Sequence, residues 1–317
     1  MPGKWATRSL ALRLAISFAW LSLSVPGFAQ NSDTPANITL QHAVTRAMNG
    51  KAGAAVVVDV ASGKILASYH PEVAARRLAL PGSSIKPFTL LALLEAAKVN
   101  PQTTLMCKRP LKIAGHNFDC SHAETAQPFN AVAALAYSCN TFFTTMANRL
   151  TAAELRNSLL RDGFGSPSGF AANEATGVVA LTQNAAELQM QAIGEAGIHV
   201  TPFELLRAYQ RLAQMQPKHD ATLDPLFAGL DASVAYGIGH LAQPKSAMVV
   251  AGKTGTSLVE EGSWRHAWFG GYAPAANPEI ALVIFLEKGT GPVDAAAVAQ
   301  QIFAAYAISR STRGASH

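Results

Sequence analysis

A serine and a lysine, Ser83 and Lys86, stand three residues apart at the start of an apolar segment. On a helix this spacing places both side chains on one face, about 5–6 Å apart at Cβ. A serine hydroxyl becomes a good nucleophile when a neighbouring base takes its proton. A lysine amine can be that base where burial or a nearby cation keeps it neutral. The pair therefore predicts nucleophilic catalysis, provided that the rest of the chain supports it, because the same short pattern also occurs at ordinary solvated helix starts.

Two further short motifs follow in chain order. Ser138–Asn140 (Ser-Cys-Asn) lies in an apolar, helix-like stretch, and Lys253–Gly255 (Lys-Thr-Gly) is predicted to end a strand. Each motif alone predicts no more than a polar turn or a strand end. A Ser-x-x-Lys pair followed by these two motifs is the set found in penicillin-binding proteins and class A β-lactamases.

The chain resembles the transpeptidase domain of penicillin-binding proteins over about residues 38–308. Five segments carry the likeness: Pro81–Phe88, Ala136–Phe143, Gly194–Pro202, Ala251–Ser257 and Ala267–Pro274. The resemblance implies a serine-type D-Ala-D-Ala transpeptidase or carboxypeptidase that acts on peptidoglycan stem peptides. It also implies that β-lactam antibiotics are covalent inhibitors.

The resemblance also implies the catalytic roles. Ser83 would form the acyl-enzyme and Lys86 would accept its proton, with the nearby positive charge of Lys253 favouring the neutral amine. Ser138 would pass a proton to the departing amine. Asn140 would bind the backbone amide of the substrate.

The third motif is expected to bind the rest of the substrate. Lys253 and the hydroxyls of Thr254 and Thr256 would hold the terminal carboxylate. Gly255 carries no side chain, so a substrate strand can approach the sheet edge closely. The backbone N–H groups of Ser83 and Thr256 would form an oxyanion hole.

The elements that must position these motifs are predicted from hydrophobic pattern and turn residues. Strands near both ends of the chain flank a mostly helical middle at about residues 83–245. The fold class is therefore α+β: an antiparallel sheet of about five strands from both chain ends, covered by terminal helices, with a helical insertion, as in β-lactamases and transpeptidases. The predicted strands are 54–60, 64–69, 248–255, 266–272 and 280–286, and the predicted terminal helices are 38–48 and 291–308.

Composition and charge exclude nucleic acid as a partner. The chain has 317 residues, of which 49% are hydrophobic and 14% are charged, with a net charge of +5. Three of its 25 basic residues lie before residue 30, which leaves 22 against 20 acidic residues. Residues 30–317 contain no run of basic residues, so the sequence lacks the clustered positive charge that nucleic-acid binding requires.

The N-terminus predicts export. Lys4, Arg8 and Arg13 precede a short apolar run, Leu14–Val25, and a small-residue cleavage site that ends at Ala29. Residues 1–29 are thus expected to be a signal peptide, cleaved or retained as an anchor, and residues 30–317 a single catalytic domain. The expected location is the periplasm or the outer face of the cytoplasmic membrane, with membrane contact only if the segment is retained.

The three cysteines allow two interpretations. In an exported protein Cys107 and Cys120 can close a short disulfide loop, which leaves Cys139 as a buried thiol. The rival interpretation makes Cys107, His116, Cys120 and His122 zinc ligands. Their spacing matches no familiar zinc pattern, so neither a metal nor another cofactor is predicted.

Two alternative functions remain open on the same motifs. A β-lactamase needs a group that activates water, and Glu174, 34 residues after Asn140, is the candidate base. The setting of Glu174 resembles a loop of penicillin-binding proteins instead, and the polar Asn140 argues against a class D enzyme. The other alternative is a non-catalytic β-lactam sensor or binding module that forms the acyl-enzyme without turnover.

Overall fold

The structure, a computed structural model, describes residues 35–259 and 264–314. The predicted signal peptide, residues 1–29, lies outside this range. None of the helices within the described residues has the length and apolarity needed to cross a membrane.

One antiparallel sheet forms the centre of the domain. Within the described residues it has five strands in the order β2-β1-β11-β10-β9, so its members come from both ends of the chain, as the sequence predicts. In the described part of the chain the strands are β1 (Gly53–Asp59), β2 (Ile65–Tyr69), β3 (Thr104–Leu105), β4 (Lys112–Ile113), β5 (His116–Asn117), β6 (Phe129–Asn130), β7 (Val178–Val179), β8 (Ile198–His199), β9 (Ala251–Leu258), β10 (Arg265–Ala273) and β11 (Ile280–Leu286).

The central strands are buried on both faces. β1 pairs with β11 from Gly53 opposite Leu286 to Asp59 opposite Ile280, and both strands read as nearly continuous apolar runs because helices cover both sides. Val57 belongs to the core under α1 and α10, whereas Val56 belongs to the core under the helical insertion.

Ten helices lie in the described residues, and most belong to the insertion between β2 and β9. They are α1 (Pro35–Met48), α2 (Pro71–Arg76), α3 (Lys86–Glu95), α4 (Ala131–Ala136), α5 (Asn140–Ala147), α6 (Ala152–Arg161), α7 (Ala185–Ile193), α8 (Pro202–Met215), α9 (Asp224–Ala235) and α10 (Ala296–Gly314). The start of α8 shows how sequence fixes a helix end: Thr201 and Glu204 form a capping box ahead of Pro202.

β9 and the closing helix differ from their predicted bounds. β9 begins at Ala251 rather than at residue 248 and continues to Leu258, so the Lys-Thr-Gly motif lies inside the strand. The preceding residues are held outside the sheet because Gln243 Nε2 donates to Met248 O at 2.8 Å and Ala275 N donates to Val249 O at 2.9 Å. The closing helix starts with one wide π-type turn, 291–295, before α10.

The turn that carries Ser83 packs backbone against backbone on the loop after α7. Gly82 N donates to Gly194 O at 3.0 Å, and both glycines have positive φ, +51° and +78°. A Cβ at Gly194 would lie 2.2 Å from Gly82 O, which is impossible without a shift of the backbone. Glycine is therefore required here by both conformation and space.

We predict that Gly194→Ala lowers the free energy of unfolding by about 2–5 kcal/mol, because left-handed strain and overpacking both oppose alanine. Gly50→Ala is the matched control: its φ is +71° but nothing lies within 4 Å of a new Cβ, so only the strain of about 1–2 kcal/mol applies. Denaturant unfolding monitored by circular dichroism measures both. Equal losses in the two variants would contradict the steric argument.

Candidate active site

Ser83, the predicted nucleophile, lies where a short 3₁₀ turn, Gly82–Ile85, runs directly into α3. Lys86 N donates to Ser83 O, and Pro87 occupies the first turn of α3, where a missing N–H costs little. Ser83 is partly exposed, whereas Lys86 is fully buried. Ser83 is therefore accessible to a substrate, whereas the amine of Lys86 is shielded from water. The predicted roles of nucleophile and base require this difference.

Side chains from three elements hold this turn in place. Ser257 Oγ on β9 and Trp268 Nε1 on β10 both donate to Leu80 O, at 2.7 and 3.0 Å. Tyr209 Oη on α8 donates to Ser84 O at 2.9 Å. The backbone around the nucleophile is therefore fixed to the sheet and to the buried α8.

The second motif forms the link between α4 and α5. Ser138 has φ +59°, a left-handed conformation that is strained for a residue other than glycine. Ser138 N donates to Leu135 O at 3.2 Å and Cys139 N to Ala134 O at 2.9 Å, which is the Schellman pattern of a helix C-terminus. α5 then begins at Asn140, so Ser138 and Asn140 sit on a sharp corner between two helices.

The buried amine of Lys86 joins the first motif to the second. Lys86 Nζ donates to Ser138 O at 2.8 Å, to Ser138 Oγ at 3.1 Å and to Asn140 Oδ1 at 2.5 Å. Asn140 Nδ2 in turn donates to Phe118 O at 2.8 Å. The predicted residues Lys86, Ser138 and Asn140 thus form one hydrogen-bonded group.

Burial sets the protonation of this group. It lowers the pKa of Lys86 to about 8, while the electrostatic effect of the neighbouring Cys120, Cys139 and Glu195 side chains acts to raise that pKa. The sequence argument attributed this shift to Lys253, but desolvation is its main cause. With a pKa near 8, about one tenth of the Lys86 amine is neutral at pH 7, which suits a general base.

The third motif lies on β9, at the edge of the described sheet. Lys253 is fully buried and its Nζ donates to Thr254 O at 3.0 Å. The pKa of Lys253 lies well below its usual range, mainly because the side chain is buried and secondly because the charge of Lys86 is near. A Cβ at Gly255 would lie 2.5 Å from Pro81 O and 2.8 Å from Ser84 N. The absence of a side chain at Gly255 is what lets the nucleophile turn contact the strand.

Thr254 and Thr256 occupy the opposite face of β9 from Lys253 and Gly255, because side chains alternate along a strand. Thr254 is only 2% exposed, and its role in binding a carboxylate stays a prediction. Thr256 is partly exposed, and its Oγ1 accepts a hydrogen bond from Gly291 N at 2.9 Å. The hydroxyl of Thr256 can therefore direct its own proton to a bound anion.

Sequence reasoning missed one carboxyl group, Glu195. It is half-buried beside Gly194, and burial raises its pKa to about 7 while the charges of Lys86 and Arg265 oppose that rise. The segment Gly194–Pro202 was recognised for its glycines only. The signal available in the sequence was an acidic residue directly after the first glycine of this segment.

Glu174, the candidate deacylation base, has a structural role. Its carboxylate accepts hydrogen bonds from Ser168 N at 2.5 Å and from Ala171 N at 2.7 Å. Both oxygens are thus engaged in closing their own loop, and no water-activating role is derived for Glu174.

The cysteines also differ from their predicted arrangement. All three are free thiols, and the Sγ atoms of Cys107 and Cys120 lie 3.5 Å apart, compared with about 2.05 Å in a disulfide. His116, one of the four predicted zinc ligands, is exposed on the hairpin of β4 and β5. Cys139, which was set aside as a buried thiol, takes its place beside Cys107, Cys120 and His122.

Comparison with known proteins finds relatives named peptidoglycan D,D-transpeptidases. The chain is 24% identical to peptidoglycan D,D-transpeptidase MrdA of Haemophilus influenzae, over 85% of this chain and 55% of that protein. It is 26% identical to peptidoglycan D,D-transpeptidase PbpA of Mycobacterium tuberculosis, over 84% of this chain and 69% of that protein. The chain therefore spans about half the length of MrdA and about two thirds of PbpA.

Solved structures share the fold. Pseudomonas aeruginosa PBP2, in complex with WCK 5153, superposes with a TM-score of 0.74 at 25% identity. The aligned region covers 84% of this chain and 76% of the PBP2 chain. The transpeptidase domain of Burkholderia pseudomallei penicillin-binding protein 3 gives a TM-score of 0.74 at 23% identity, over 88% of this chain and 93% of that domain's chain. The family model of the penicillin binding protein transpeptidase domain matches residues 53–307, and the chain belongs to that family.

Proposed function

We propose that this protein is a serine D,D-transpeptidase or D,D-carboxypeptidase that acts on peptidoglycan stem peptides through an acyl-enzyme on Ser83. One observation carries the proposal: a fully buried lysine with a lowered pKa follows the partly exposed Ser83 and is hydrogen-bonded to Ser138 and Asn140. The names of the relatives, peptidoglycan D,D-transpeptidases, support the substrate class.

Acylation begins when Ser83 Oγ attacks the carbonyl carbon of the penultimate residue. The neutral amine of Lys86 takes the hydroxyl proton, and the carbonyl oxygen becomes an oxyanion. The backbone N–H groups of Ser83 and Thr256 are the proposed donors to it, each worth roughly 3–4 kcal/mol in other enzymes. Their proximity is supported by Gly82, where an added Cβ would lie 3.1 Å from Thr256 N.

The tetrahedral intermediate collapses when the C–N bond breaks. Ser138 Oγ, which accepts a hydrogen bond from Lys86 at 3.1 Å, passes its own proton to the departing amine and takes in return the proton that Lys86 received from Ser83. The acyl group then moves to an acceptor amine or to water, and the hydroxyl of Ser83 is restored. The choice of acceptor separates transpeptidase from carboxypeptidase.

Substrate binding uses the edge of β9. An extended peptide can add to this edge as a further strand, and its terminal carboxylate would meet the hydroxyl of Thr256, while the charge of Lys253 acts on it from the other face of the strand. Because burial and the charge of Lys86 favour neutral Lys253 in the free enzyme, an incoming carboxylate would raise the pKa of Lys253 and draw a proton to it. The chemistry takes place outside the cytoplasm, where its polymer substrate lies, in keeping with the predicted export signal.

We predict that fluorescent penicillin labels the protein and that Ser83→Ala reduces labelling by roughly 10⁴-fold or more, because the covalent bond cannot form. Ser84→Ala is the matched control: it keeps the label, since the Ser84 hydroxyl donates to Pro81 O at 2.7 Å rather than serving the reaction. Gel fluorescence measures both variants.

The fate of the label tests the alternatives. A transpeptidase or carboxypeptidase keeps the label for long times and releases D-alanine from a stem-peptide analogue. Rapid turnover of a chromogenic cephalosporin would show a β-lactamase instead. A stable label without any D-alanine release would show a sensor, and no label on folded protein would contradict all three.

We predict that the acylation rate rises about tenfold per pH unit below pH 8 and levels off above it, because only neutral Lys86 accepts the proton. Stopped-flow acylation by a penicillin over a pH series measures this. A rate that is flat between pH 6 and pH 9 would contradict the role of Lys86 as the base.

Glu195→Gln should move this profile to lower pH. The negative charge of Glu195 raises the pKa of Lys86, so removing the charge leaves Lys86 easier to deprotonate. The exposed Glu72→Gln is the control and should leave the profile unchanged. A shift to higher pH in Glu195→Gln would refute this electrostatic coupling.

A further inference from the structure

Three cysteines and a histidine converge beside the second motif. Cys107 Sγ lies 3.5 Å from Cys120 Sγ and 3.6 Å from His122 Nε2, and Cys120 Sγ lies 3.8 Å from Cys139 Sγ. All four ligand atoms lie within 4.8 Å of one another. We propose that these side chains bind one Zn²⁺ ion, which fixes the segment before β6 onto the Ser-Cys-Asn motif.

Three of the six separations between the ligand atoms match the edges of a tetrahedral Cys₃His site, and the other three lie within 4.8 Å. Zinc–sulfur bonds of about 2.3 Å and zinc–nitrogen bonds of about 2.0–2.1 Å require edges of about 3.8 Å between sulfurs and about 3.6 Å between sulfur and nitrogen. The three measured edges agree within a few tenths of an ångström. Thiolates and imidazole are also the ligands that favour Zn²⁺ over the hard cations Mg²⁺ and Ca²⁺.

His122 is prepared to bind a metal. Its Nδ1 lies 2.7 Å from Ala123 O, an acceptor only, so Nδ1 carries the proton and Nε2 presents a lone pair to the cysteines. A metal-bound histidine ordinarily donates its other ring N–H in this way. The ring of Phe129, 4.9 Å away between centroids, restricts the ring of His122 further.

Two of the three sulfur atoms are shielded from solvent, and Cys107 is half-buried. Cys120 and Cys139 are 6% and 1% exposed, and His122 is 7% exposed. Asn140 N donates to Cys120 Sγ at 3.1 Å, a backbone hydrogen bond that stabilises a negatively charged sulfur. Buried thiolates need such compensation, and a Zn²⁺ ion would supply the larger part of it.

The segment between β3 and β6 has few other means of stability. It spans residues 106–128, and in it the structure assigns only the pair of two-residue strands β4 and β5. Loops of this length with so little regular structure are uncommon in compact domains. A bound metal stabilises such a segment because its binding free energy adds to the folding free energy.

The site also reaches the catalytic residues. Cys139 stands between Ser138 and Asn140 in the chain, and Asn140 Nδ2 donates to Phe118 O of the same segment. The ion would thereby position the oxygens that accept hydrogen bonds from Lys86. This positioning role rests on the proposed function, whereas metal binding does not.

The test starts from the full protein, purified without chelator under reducing conditions. Elemental analysis should give about one zinc per chain, and a thiol-modifying mercurial should release it. The cobalt-substituted protein should show sulfur-to-cobalt charge transfer and the intense visible bands of tetrahedral Co²⁺. These measurements depend on the wild-type protein alone, so they remain informative where a variant fails to fold.

Variants assign the ligands. His122→Ala and Cys139→Ser should each weaken Zn²⁺ binding by at least about 100-fold, since even outer residues of metal sites contribute 10–100-fold. His116→Ala is the matched control from the same segment and should bind as the wild type does. Unchanged binding in His122→Ala, no zinc in reduced and folded wild type, or a Cys107–Cys120 disulfide in the native protein would overturn the proposal.

Acylation provides a separate readout for the positioning role. Zinc removal should slow penicillin labelling of Ser83 at least about tenfold, and added Zn²⁺ should restore it. Labelling that survives metal removal unchanged would refute positioning while leaving the metal site intact. Failure of the proposed function itself is distinguishable, because an unlabelled wild-type protein would still bind zinc.

Discussion

The burial of one amine organises this molecule. Lys86 is fully enclosed, and a buried ammonium group is costly unless hydrogen-bond acceptors surround it. Its acceptors come from a single corner of the chain, the backbone and side chain of Ser138 and the amide oxygen of Asn140. The left-handed strain at Ser138 is maintained because that corner must turn its oxygens towards Lys86.

The sheet supplies the rigid partner for this group. Both ends of the chain contribute strands, and the turn that carries Ser83 is held to β9 and β10 through Leu80 O. Glycines at the contacts allow backbones to approach more closely than any side chain permits, as Gly255 does against Pro81. Ser83 and the third motif therefore keep their geometry through main-chain contact with buried elements rather than through mobile side chains.

The local parts of the site were predictable, and the long-range parts were less so. A three-residue spacing at a helix start fixes Ser83 and Lys86 relative to each other because helical geometry is the same in every protein. The extent of β9 was misjudged because the contacts of Met248 and Val249 come from distant residues. The lowered pKa of Lys86 was expected, but its cause, burial, depends on the packing of α3 on every side.

The sequence by itself determined the order of the three motifs and, from the hydrophobic pattern and the family resemblance, an α+β architecture with strands from both chain ends in one sheet. The tertiary structure alone decided which polar groups meet. It placed the Glu174 carboxylate in hydrogen bonds within its own loop and brought Glu195 close enough to affect the pKa of Lys86. It also placed Cys139, rather than the predicted His116, beside the other two cysteines and His122. Such contacts join residues far apart in sequence, and their distances exist only once the chain has packed.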